Sequence, residues 1–213
     1  MTIEARGQSM RLVEWLAAQV SGIRMGGNVR TRTAAVCFGV AQEHHAAMVT
    51  LVILKQPLYA SAFALARPLF EAYLRGMWLA HCASDDQVDR YHQGRIPDTA
   101  SLIAALEKLQ GDGEVSNIRR LYERSWRAMS GMTHTGAEHF EKWSDGEVLE
   151  PDYTDDDVGR ILDFAARIGV LSTAGLAMLS SEELLWRRIL EDARPLMPPR
   201  YDAPEKQVAK EPG

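Results

Sequence analysis

From Leu58 to Ala83 the sequence is apolar in nearly every direction of a helical wheel, yet it carries Arg67, Glu71 and Arg75 at four-residue spacing. On a helix these three fall on one strip about 80° wide. Leu69, Phe70, Tyr73, Leu74, Trp78 and Leu79 populate the remaining directions. A helix of this kind belongs in an interior, where its charges must be paired or must line a cavity. Pro68 removes one backbone hydrogen bond and predicts a kink near Ala64. Two readings of the strip stand side by side. One is a buried Arg–Glu–Arg network that fixes helix register. The other is a polar pocket in which two guanidinium groups clamp an anion and Glu71 orients them.

The rest of the chain also reads with helical spacing, and it offers neither an alternating strand run nor an Asn-Gly hairpin. Ser9 is placed to cap a first helix, whose apolar side holds Leu12, Val13, Leu16 and Val20. A second helix is expected from about Thr31 to Lys55, stopping before Pro57. Ser84 and Asp98 read as caps of two shorter helices, and Ser116 as the start of another that runs toward His134. Thr154 followed by three aspartates is a helix start, because acidic side chains favour the positive end of the helix dipole. From there the pattern continues to about Leu190, roughly 50–55 Å at 1.5 Å per residue. A helix of that length either breaks near Gly169 or Gly175 or projects toward a partner. Its small residues Ala165, Gly169, Ser172, Thr173 and Ala177 permit close helix packing and predict a homodimer. The expected architecture is therefore all-α: one bundle of about six or seven helices over residues 1–194, with a Pro-rich loose tail over 195–213.

The 213 residues are 46% hydrophobic, 25% charged and carry a net charge of −5, enough for one cored domain and too acidic overall for an open nucleic-acid surface. Cys37 and Cys82 cannot form a disulfide framework and read as core thiols in a reducing, cytoplasmic setting. The apolar runs 46–54 and 58–66 are each too short to span a bilayer, so no membrane association is expected. Met1 to Arg11 has no secretory pattern.

Polar chemistry concentrates between Arg119 and His139. Arg127 and His134 are seven apart, close to two helical turns, and face the same way if the helix persists. Ser130 lies between them on nearly that face, and Glu138 follows His134 by one turn. An imidazole exchanges protons near neutral pH, and a neighbouring guanidinium stabilises developing phosphate charge. The bland alternative is His134 hydrogen-bonded between helices with Arg127 paired to an acid. Trp126 could stack a base but more commonly serves helix packing.

Arg127, six intervening residues and His134 resemble the Arg-x(4–6)-His motif of HEPN domains, all-α proteins of prokaryotic toxin–antitoxin and defence systems. The segment Arg67-Pro-Leu-Phe-Glu71-Ala-Tyr-Leu-Arg75 is similar to one in HEPN-like bacterial helical proteins. Ala128 departs from the family, where a polar residue usually follows the Arg. The resemblance implies a metal-independent ribonuclease working at a dimer interface. In that mapping His134 assists attack by the RNA 2′-hydroxyl and Arg127 stabilises the crowded phosphate, with Arg67, Glu71, Arg75, Ser130 and Glu138 in support. The other functional class is a non-catalytic helical module that binds a protein partner or small anion through the Arg67–Glu71–Arg75 strip.

No cofactor is expected. Glu43, His44 and His45, with His134, Glu138 and His139, are the residues from which a metal site would have to be built. The paired Glu-x-x-His motifs of di-iron bundles are missing, however, so no metal is expected either.

Overall fold

The computed structural model describes residues 3–110, 115–145 and 148–198. Among these the protein is all-helical apart from one two-residue antiparallel pairing, Ser144–Asp145 with Val148–Leu149. Ten α-helices are described, more than expected because two long patterns are each divided and a further short helix follows His134. They are α1 (Ile3–Val20), α2 (Val29–Ile53), α3 (Tyr59–Ala64), α4 (Ala66–His81), α5 (Asp85–His92), α6 (Thr99–Gln110), α7 (Val115–Thr133), α8 (Ala137–Trp143), α9 (Asp155–Met178) and α10 (Leu185–Asp192).

The helix starts follow local side-chain chemistry. Asn28 accepts from the Thr31 amide at 3.0 Å to open α2. Ser84 with Gln87, and Thr154 with Asp157, form reciprocal capping boxes at α5 and α9. Asp98 accepts from the Ser101 amide at 2.9 Å at the start of α6. Ser9 is not a cap: α1 begins six residues earlier, and the Ser9 hydroxyl instead donates to the Ala5 carbonyl within the helix. Helix α7 begins at Val115, one residue before the expected Ser116, and the Gly111–Gly113 turn lies outside the described residues.

The apolar stretch over 58–83 divides at Leu65 into α3 and α4. Pro68 has no amide hydrogen for the carbonyl of Ala64, and that oxygen accepts the Thr133 hydroxyl of α7 at 3.1 Å. The pattern over 154–190 divides as well, but at neither glycine. The Ser180 hydroxyl donates to the Ala177 carbonyl and accepts from the Glu182 amide, ending α9 at Met178. Helix α10 then folds back against α9 rather than projecting.

Helix α2 packs most extensively on α4 and α9, so these three form the spine. Phe38 sits at their centre, 1% exposed, its ring pressed against Gly76 of α4 and Gly175 of α9. The small residues of α9 are consumed here: Ala165, Gly169, Ser172, Thr173 and Ala177 are all buried within the chain. Gly169 and Thr173 meet His45 and Gln42 of α2, while Ala177 packs with Leu12, Leu16 and Leu185 of α1 and α10, so these residues are taken up inside the chain and do not present a face to a second copy. Residues 194–196 form a 3-10 turn, and Gln8 donates to the Met197 carbonyl at 2.7 Å. The start of the expected tail is thus fastened to α1, and 199–213 lies outside the described residues.

Helices α2 and α9 are each long and apolar enough, by length and composition alone, to cross a membrane. In this fold both belong to the spine, and 67% of the apolar window of α9 is buried inside the protein.

Candidate functional site

The charged strip of α4 faces the C-terminal half of α7, and Arg67 joins the two helices. Its Nε donates to Glu71 Oε1 at 2.9 Å, and Arg75 Nη2 donates to the other carboxylate oxygen at 2.8 Å. All three side chains are partly buried, with Glu71 the most enclosed. Glu71 therefore holds two guanidinium groups in fixed orientation, one turn to either side of itself.

The remaining reach of Arg67 goes to α7. Its Nη1 lies 3.3 Å from Ser130 Oγ and 3.1 Å from His134 Nε2, and its guanidinium carbon stands 4.4 Å from the centre of the Trp126 ring. Trp126, Ser130 and His134 are four residues apart, which puts them on one face of α7 toward Arg67. The helical geometry persists to the site, because the His134 amide still bonds the Ser130 carbonyl at 3.1 Å. A guanidinium only donates, so Nε2 accepts here and the proton of the neutral ring sits on Nδ1. The imidazole is solvent-exposed.

The chain leaves the helix directly after His134. Thr135 adopts a positive φ of 54°, and the Gly136 amide closes on the Gly131 carbonyl at 2.8 Å. Glu138 folds back from α8 so that its carboxylate occupies the space a side chain at Gly131 would need. A side chain at 131 would have to displace that carboxylate, the far end of a flexible side chain. His139 bonds the Met132 carbonyl at 2.6 Å and the Tyr153 hydroxyl at 3.3 Å, which fastens this turn to the rest of the fold.

The structure thus brings together Arg67, Glu71, Arg75, Ser130 and His134, with Glu138 packed on the adjoining turn. Arg127 is exposed and makes no hydrogen bond or ion pair among the described residues. The guanidinium that touches the imidazole belongs to Arg67. Two participants were not singled out as such in the sequence, Trp126 beneath Arg67 and Thr133 against Ala64. The spacing Trp126–Ser130–His134 was a usable signal for the first; nothing local signals the second.

The residues considered for a metal are dispersed. His45 is buried against Gly169 of α9, and no group of three His, Cys, Asp or Glu side chains among the described residues converges closely enough to hold an ion. Cys37 is buried with its thiol 3.3 Å from the Tyr91 hydroxyl, and burial pushes that thiol above its ordinary range.

No curated protein and no solved structure matches the chain. A family described as being of unknown function (DUF6988) matches residues 38–195, a span that begins inside α2 and takes in both halves of the Arg67–His134 site. The match covers most of the sequence, and the chain belongs to that family.

Proposed function

We propose that this protein is a HEPN-like, metal-independent endoribonuclease in which Arg67 and His134 form the reacting pair. The observation that carries the reading is the exposed imidazole whose Nε2 lies 3.1 Å from a guanidinium already oriented by Glu71. In the resting protein Arg67 occupies the Nε2 lone pair. An entering phosphate attracts Nη1 and frees Nε2 to take the proton of an RNA 2′-hydroxyl. The 2′-oxygen then attacks phosphorus, and Arg67 with Arg127 neutralises the crowded phosphate while the 5′-oxygen leaves and takes a proton from water. Glu71 and Trp126 act through Arg67 as positioning residues. A second copy completing an RNA-binding groove beside the exposed Arg127 and His134 fits this reading, as does a role in a toxin or defence system.

The test is cleavage of single-stranded RNA by the purified full chain in EDTA. The expected products carry 2′,3′-cyclic phosphate and 5′-hydroxyl ends. His134→Ala is expected to reduce the rate at least about 100-fold, the usual scale for a general base. Absence of cleavage, or cleavage that His134→Ala leaves unchanged, overturns the reading. In that case the two Glu71-bound guanidinium groups favour an anion-binding module without catalysis.

A further inference from the structure

Helix α7 packs on α3, α4, α6 and α8 but hardly meets α9, and a cleft of about 730 Å³ lies between α7 and α9. Phe63, Met129, Met132, Ile161 and Phe164 line it. Its residues Ser125, Ala128 and Met132 lie on the side of α7 turned away from Trp126, Ser130 and His134, so it is separate from the ribonuclease reading.

The charge of the cleft is one-sided. Arg120, Arg124, Arg160 and Arg167 line it against only Asp157 and Asp163, in a chain whose net charge is −5. Both aspartates are engaged: Asp157 by Lys142 and Arg160, Asp163 by two bonds of 2.9 Å from Arg167. Arg124 is exposed and has no hydrogen bond or ion pair among the described residues. An unpaired cation therefore stands at the lip of an apolar trough that the protein's own helices leave open.

We propose that this cleft binds a fatty acid, with the alkyl chain on the apolar floor and the carboxylate on Arg124. The volume lies within the range of sites that bury a small ligand, and methionine side chains adapt readily to a flexible chain. A nucleobase fits the lining less well. Apart from Ser125, the polar side chains are charged, and most are engaged with one another, leaving few neutral donors or acceptors to read a base edge. A self-association through this face would set arginines against arginines across a two-fold axis.

The experiment is calorimetric titration of the full chain with dodecanoate below its micellar concentration, and with dodecyltrimethylammonium, which has the same chain and the opposite charge. One equivalent of dodecanoate is expected to bind, at least tenfold more tightly than the cation. Ala128→Phe, an exposed residue placed to fill the cleft, is expected to weaken binding at least tenfold. Arg124→Gln is expected to weaken dodecanoate at least fivefold and leave the cation unaffected. Equal affinity for both probes, several equivalents, or indifference to either variant overturns the proposal. So does absence of dodecanoate binding combined with dimerisation that Ala128→Phe abolishes, which would assign the cleft to a second copy.

Discussion

The hydroxyl of Thr133 donates at 3.1 Å to the carbonyl of Ala64, the oxygen that Pro68 leaves without a helical partner. One side chain of α7 thus repairs a backbone defect in the helix it faces. The same hydroxyl also lies 2.8 Å from the Met129 carbonyl, so a single hydrogen is shared between the two helices. The repair sits one residue before His134 and three before the turn at Gly136, at the point where α7 must be held for the imidazole to meet Arg67.

Thr133→Val keeps the shape and removes the donor. It is expected to lower stability by about 1 kcal/mol, the usual net worth of such a bond. In a Pro68→Ala background the restored backbone amide can bond the Ala64 carbonyl directly, and the same substitution at Thr133 should cost less than half as much. Urea unfolding of the four proteins reads the coupling. Equal costs in both backgrounds would show that the defect and the hydroxyl are unrelated.

Phe38 makes a second prediction about packing. A Cβ added at Gly76 would stand 2.6 Å from the ring, and one at Gly175 would stand 2.7 Å from it. Alanine in a helix interior gains up to about 1 kcal/mol over glycine. Overpacking a core costs about 1–3 kcal/mol, and a ring confined from both sides has little freedom to yield. Gly175→Ala is therefore expected to destabilise by about 1–2 kcal/mol net. Phe38→Leu combined with it should cost less than the sum of the two single changes. A stabilised Gly175→Ala protein, by thermal or urea unfolding, would contradict the confinement of the ring.

The pH dependence of stability follows from two groups of opposite type. Burial holds the His45 imidazole down at about 4, and its Nε2 has no hydrogen-bond partner. The unfolded chain takes up this proton near pH 6.5 while the folded chain refuses it until about pH 4. Stability is expected to fall as pH drops through that window, by at most about 3 kcal/mol, and to stop falling on this account below it. Burial pushes the Asp157 carboxyl up, but hydrogen bonds from Lys142 and Thr154 together outweigh that effect and hold it at about 2. Its contribution is present above the ordinary carboxylate value and is lost as pH falls toward 2. Urea midpoints at several pH values check both windows. His45→Leu should flatten the first and leave the second, and a profile unchanged by that substitution would show that His45 does not carry it.

Local rules made much of the fold legible. Asn28 lies just before the expected second helix, and Thr154 and Ser84 cap α9 and α5 as short-range hydrogen bonding dictates. The placement of Arg67, Glu71 and Arg75 on one strip was readable for the same reason, since i and i+4 side chains on a helix are neighbours by geometry alone. The long pattern over 154–190 misled in one respect. Hydrophobic periodicity does not register a serine hydroxyl that captures a carbonyl and an amide, so the break fell at Ser180 instead of at a glycine. Gly169 and Gly175 instead serve close packing against His45 and Phe38 inside an unbroken helix.

By itself the sequence determined an all-α chain, its spine of apolar helices and the placement of Arg67, Glu71 and Arg75 on one strip. Each of these rests on interactions within a few residues, where the period of the helix decides what meets what. Only the tertiary structure decided that Arg67, and no arginine of α7, donates to His134, and that Thr173 of α9 meets Gln42 of α2. Those contacts join residues 67 and more than 100 positions apart. They depend on which helix faces come to lie together across the bundle, and helical periodicity carries no record of that.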